Sequence, residues 1–247
     1  MTGQPPSHAG SGRAQSNVVG VALLLGITVV SLGVLTASIG LAVDAGTGAA
    51  DAARVGDDVD DALRPVEVTG EHVGTVRATD GQLRTVARDL RVLNESGTVA
   101  RLEADALVYE TDGHRVAFLA GGVVRGEGSG ARLVTEPPVV ASPDGEVLVV
   151  GVATLGADRR TVSFAGEPVR LRTNVTHDRR TLGAGTYRVA IETETPAAWR
   201  SYFRDLGATV TDRDLDGDGV DSVVATFPNE RTAYLVVHAL HLEVGNG

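Results

Sequence analysis

The chain has no cysteine and no lysine, and aromatic residues make up only 4% of it. Without cysteine there is no disulfide, no thiolate metal site and no cysteine nucleophile. Without lysine, all 22 basic residues are arginine, set against 32 Asp and Glu for a formal charge of -10. No basic stripe with interleaved aromatics occurs, so no nucleic-acid partner is expected. An acidic, lysine-free surface holds water well and suits a salt-rich, halophilic setting. There surface charges are screened to within roughly 3 Å at 1 M salt. The hydrolase pattern Gly-x-Ser-x-Gly and the metalloprotease pattern His-Glu-x-x-His are both missing, and no Ser/His/Asp order stands out. The expectation is a protein that is not an enzyme.

What the chain does have is a run from Gln15 to Val43 without one charged side chain. A bilayer core needs roughly 20 apolar residues of helix, and Val18 to Val43 meet that length. Three readings fit. A secretory signal would be cut among the small residues Ala45 to Ala50, but its apolar region is normally about 7–15 residues. An ordinary signal anchor would be retained. The third reading starts from Arg13-Ala14-Gln15-Ser16, where a basic and a small residue precede the apolar run. Arg13 before the run, with Asp44 and Asp51 after it, puts the N-terminus in the cytoplasm and the rest outside. Gly26, Gly33 and Gly40 fall seven apart. A seven-residue step drifts only about 20° on a helix, so they form one small-residue stripe for close helix packing.

The order Arg13-Ala14 followed by Gln15-Ser16-Asn17-Val18-Val19-Gly20-Val21 resembles the opening of haloarchaeal type IV pilin-like proteins with a class III signal peptide. The resemblance implies cleavage by prepilin peptidase between Ala14 and Gln15, and assembly with other pilin-like subunits or with itself through the hydrophobic helix. The acidic residue frequent near such mature starts is replaced here by Asn17. The resulting organisation is a leader over 1–14, an assembly helix over 15–43, a helical stalk over 44–64 and an extracellular head over 65–247. The alternative is a membrane-anchored extracellular binding module that does not polymerise, and a tethered secreted enzyme is the more remote rival.

The head reads as α+β, a mostly antiparallel sandwich-like β domain with one short helix. Period-two, β-branched runs occur at Val66–Thr69, His72–Thr79, Leu83–Leu93, Thr98–Glu103, Leu107–Glu110 and Val116–Leu119. They continue at Arg132–Thr135, Glu146–Thr154, Thr161–Phe164, Val169–Val175, Thr186–Thr193, Val223–Phe227 and Ala233–Val244. Thr195, Pro196 and Gly207 frame a helix with Trp199, Tyr202, Phe203 and Leu206 on one face.

Few residues suggest site chemistry. Asp214, Asp216 and Asp218 alternate before Gly219 as in the start of a calcium loop, but the twelfth position is Ala225 rather than an acid. No resident cofactor is expected, calcium being the one ion this pattern would take. Asn94 and Asn174 head glycosylation tripeptides. His238 and His241 are three apart, which on a strand puts them on opposite faces. Gly126 to Gly130 reads as a flexible turn.

Overall fold

In a computed structural model, residues 29, 32, 48–64 and 68–246 are described. The chain divides into two units, Met1–Thr47 and Gly48–Gly247. Arg13, Ala14, Gln15, Gly26, Gly33 and Gly40 lie outside the described residues, as does the assembly helix except for the helical, exposed Val29 and Leu32. Among the described residues no helix is long and apolar enough to cross a membrane.

The second unit is a mostly antiparallel β domain with two short helices. Helix α1 covers 48–63. Its small and branched residues recur at helical spacing, so Ala52, Val55, Val59, Ala62 and Leu63 share a buried face while Arg54, Asp57 and Asp61 stay in water. Where the sequence suggested a stalk ahead of the head, this helix is inlaid in it. Val55 and Leu63 are 0% and 1% exposed. Burying a Val or Leu is worth about 1.5–3 kcal/mol, so losing Val55, Val59 and Leu63 together would remove an amount comparable to the roughly 5–15 kcal/mol net stability of a domain.

Three sheets follow. In the first, β1 (Gly70–Val76), β12 (Val169–Gly185), β16 (Arg231–Ala239), β10 (Val147–Thr154) and β9 (Val139–Ala141) lie side by side, and β17 (Glu243–Asn246) also pairs β12. The second runs β11 (Thr161–Ser163), β2 (Gln82–Val86), β5 (Ala106–Thr111), β6 (His114–Leu119), β7 (Gly122–Arg125) and β8 (Arg132–Thr135). The third runs β14 (Thr209–Arg213), β15 (Ser222–Thr226), β13 (Arg188–Glu192), β3 (Asp89–Asn94) and β4 (Gly97–Glu103). Among the described pairs only β10 with β16 is parallel.

Two apolar cores separate along the second sheet, because successive strand residues point to opposite faces. Leu107, Tyr109, Val116 and Phe118 join α1 and the β1–β12–β17 part of the first sheet. Ala106, Val108, Ala117 and Leu119 join the third sheet and helix α2 (Pro196–Asp205). That sheet is therefore buried on both faces, which a two-sheet sandwich would not do. Helix α2 supplies Trp199, Tyr202 and Phe203 to the second core, and the Tyr202 hydroxyl donates to the carbonyls of Val139 (2.7 Å) and Pro137 (3.0 Å). Gly207 follows the helix with φ +80°, the left-handed turn that glycine permits. Thr195 precedes the helix without a side-chain bond to it, its hydroxyl meeting that of Thr193.

Several strand limits differ from the sequence reading for local reasons. The chain leaves the second sheet for the third at Ala87–Arg88, splitting Leu83–Leu93 into β2 and β3, and it returns at Asp105, whose amide donates to the Arg88 carbonyl. Val68 and Thr69 lie outside any strand, and β1 starts at Gly70. His241, at φ +46°, breaks Ala233–Val244 into β16 and β17, which pair different halves of β12.

Candidate functional site

The outer face of the third sheet carries buried charge beside the apolar Ala190 and Val224. Asp89 and Arg91 of β3, Glu192 of β13 and Ser222 of β15 all point there and are all buried. Arg91 lies directly opposite Arg101 of β4. Like charges facing each other across strands repel, and here carboxylates stand between them. Asp89 Oδ2 accepts from Arg91 Nη2 and from Arg101 Nε, both at 2.7 Å.

The loop between β14 and β15 closes over this face. Asp214 holds it in shape, its two carboxylate oxygens accepting from the amides of Gly217 (2.7 Å), Gly219 (3.1 Å) and Asp216 (3.3 Å). Those amide donors, Gly217 first, hold the Asp214 carboxyl below its ordinary value. Gly217 and Gly219 both have positive φ, the backbone that lets the amides turn inward. Asp218 accepts from the Val220 amide at 2.9 Å. Asp216 reaches down to Arg91 at 2.5 Å, and the Asp221 carbonyl accepts from the Thr193 amide.

The three loop aspartates bring carboxylate oxygens within 4.8 Å of one another, and Asp89, Glu192 and Asp216 do the same. The first set has the chemistry of a hard-cation site, yet it falls short of a calcium loop. Ala225, at the twelfth position, is 0% exposed in the second core and faces away. Asp216 is already held by Arg91 and, at 3.5 Å, by Arg101. The loop is closed by its own amides, and the guanidinium of Arg91 lies between Asp89 and Asp216, in the second set rather than among the three loop aspartates. Burial, followed by the nearby Asp218 charge, pushes the Glu192 carboxyl above the ordinary carboxylate range.

A second charge chain borders the first. Arg84 donates to Glu110 through Nε (3.2 Å) and Nη2 (3.0 Å), and Glu110 also takes Arg115 Nη1 at 2.6 Å. Arg115 meets Glu194 at 2.7 Å, and Glu194 pairs with the buried Arg88, which lies 3.6 Å from Glu192. The aspartates of the loop are visible in the sequence, whereas none of these partners is. Arg91 and Asp216 are 125 residues apart, and spacing carries no signal at that range.

The other sequence-derived residues are dispersed. Asn174 is exposed on β12, whereas Asn94 is half-buried and its Oδ1 accepts from the Ser96 amide. His238 and His241 are not brought together; His238 instead faces His177 across β12 and β16.

Residues 13–243 match the profile of a family of unknown function (DUF7289). No curated protein and no solved structure matches the chain.

Proposed function

We propose that this chain, which belongs to the DUF7289 family, is a type IV pilin-like surface subunit with no catalytic reaction of its own. Prepilin peptidase cuts the membrane-inserted precursor after Ala14, and the helix from Val18 to Val43 then holds the subunit and packs against other subunits. The head stands outside the cell. One observation carries the reading: Arg13-Ala14-Gln15 directly precedes the uncharged run to Val43, and the family match begins at Arg13 and takes in leader junction, run and head together. The family-level link to archaeal pilin-like surface proteins bearing a class III signal peptide supports it. A β-rich head suits a surface module, and apolar burial of the helix supplies the drive for assembly. The stripe of Gly26, Gly33 and Gly40 lets neighbouring helices approach closely.

The reading extends to modification of the head. Asn174, exposed on β12, is the better glycan acceptor of the two, since Asn94 has its amide oxygen engaged. The acidic loop acts as a structural clasp, with any calcium held at Asp214 and Asp218.

The decisive measurement is the N-terminal residue of the mature protein by mass spectrometry. A chain beginning at Gln15, and an uncut precursor when Arg13 is replaced by Ala, is the expected result. A mature chain beginning after Ala45, or processing indifferent to Arg13, overturns it. Immunogold labelling then separates the two modes of display. Label along filaments marks a polymerising subunit, and label confined to the cell surface marks an anchored binding module.

A further inference from the structure

His177 of β12 and His238 of β16 are direct cross-strand partners. Their Nδ1 atoms lie 2.9 Å apart, and the rings meet edge to face with centroids 5.0 Å apart. His238 is buried and His177 is exposed, so the pair sits at the floor and rim of one shallow recess lined also by Arg179 and Val236. On the β10 side the residue opposite His238 is Ala153.

Two neutral imidazoles at this separation share one proton, donated by one Nδ1 and accepted by the other. Moving that proton to the donor ring's own Nε2 leaves two Nδ1 lone pairs facing one gap, with no net proton lost. Metal–imidazole bonds are about 2.0–2.1 Å long. Two such bonds at a right angle span about 2.9 Å, whereas a tetrahedral angle spans about 3.4 Å. The observed separation matches cis positions of a tetragonal ion.

We propose that His177 and His238 form a two-imidazole pincer for a divalent transition-metal ion of the copper or nickel type. Imidazole suits both ions, and square-planar or tetragonal geometry is the preference of copper(II) and nickel(II). A small turn of each ring aims both lone pairs at the ion. The remaining coordination positions open to the recess and take water or an anion. The Arg179 guanidinium opposes a bare dication there and attracts an anionic co-ligand.

The test is a copper(II) titration of the tag-free, full-length chain in detergent, followed by calorimetry and electron paramagnetic resonance. One tight site per chain with splitting from two nitrogens is expected, binding copper more strongly than zinc. His177→Gln changes an exposed side chain; with an unaltered circular dichroism spectrum it is expected to lose at least tenfold in affinity and the two-nitrogen pattern. Arg179→Gln keeps both imidazoles and is expected to bind at least as tightly as the parent. His72→Gln, remote on β1, is expected to change nothing. Undiminished binding in His177→Gln, or no site at all in the parent, overturns the proposal.

Discussion

Arg91 sits where a metal ion would, between Asp89 and Asp216 with Ser222 behind it. Removing one member of a buried ion pair costs about 3–5 kcal/mol, because the charge left behind cannot reach water. Asp89 keeps Arg101 and Asp216 is partly exposed, so Arg91→Met is expected near the lower end, about 3 kcal/mol, by urea denaturation. Calcium should then recover more stability in the variant than it adds to the parent, since only the variant leaves Asp89 and Asp216 without the guanidinium between them. Asp214 makes a separate prediction in pH. Its carboxyl is lowered by the Gly217 and Gly219 amides, so its contribution is present above the unfolded aspartate value of about 3.9 and is lost as pH falls through the folded value. The stability gap between parent and Asp214→Asn should therefore narrow on acidification from pH 7 to pH 3, read as converging urea midpoints. Glu192 has the opposite sign. Raised by burial, it favours the folded state when protonated, and that contribution fades as pH rises through its raised value. Alternation of Asp214, Asp216 and Asp218 was legible in the sequence. That Asp216 also pairs with arginine was not, because the answering side chains arrive from β3 and β4.

At the scale of elements, the tightest contact joins α1 to β1. A Cβ built on Gly74 would lie 2.1 Å from the Ala62 Cβ. Gly74→Ala should push the helix off the sheet and cost about 1–3 kcal/mol, the usual range for overpacking a well-filled core, seen as a lower urea midpoint with an unchanged slope. Most strands could be read from period-two patterning, as could the Pro196-led helix with its aromatic face. The failures have physical causes. Residues 176–181 of β12 are exposed at successive positions, so they carry no alternation and the strand looked finished at Val175. Strand β14 is an edge with mostly exposed side chains. Strand β7 follows a tight turn made by Ala120 (φ +52°) and Gly121 (φ +96°), and a positive φ at alanine is not signalled by its identity. Beyond Val175, β12 presents Asp178, Arg179 and Arg180 to solvent and bulges between Thr181 and Gly183. Charge and bulging both discourage strand addition at an open edge. The Tyr187 hydroxyl fixes the bulge by donating to the Leu182 carbonyl at 2.8 Å.

At the scale of the molecule, the head begins at Gly48 and not at the proline that seemed to end a stalk. The helical period of 48–63 was visible in the sequence, but the same stripe of Ala, Val and Leu serves a free-standing stalk or an inlaid helix equally well. Only the partners decide, and Leu83, Tyr109 and Val123 come from far along the chain. A fragment over 48–247 is expected to be soluble and to melt in one cooperative transition. A fragment over 65–247 lacks Val55, Val59 and Leu63 and should aggregate or expose apolar surface to a hydrophobic dye. Equal behaviour of the two fragments would return α1 to the role of a spacer.

The inlaid helix also decides how the domain bears a load. Any pull on the segment ahead of Gly48 enters the head through α1, not through a strand at the rim of a sheet. The helix is fastened at intervals along its length. Asp51 accepts the Thr79 amide, the Ala53 carbonyl accepts Arg125, and Asp58 accepts the Arg77 amide. Traction must release these fastenings in turn and expose Val55 and Leu63 before the sheets feel it. The helix over 48–63 is therefore expected to yield first when the chain is pulled from its N-terminal side, while the strands behind it stay paired.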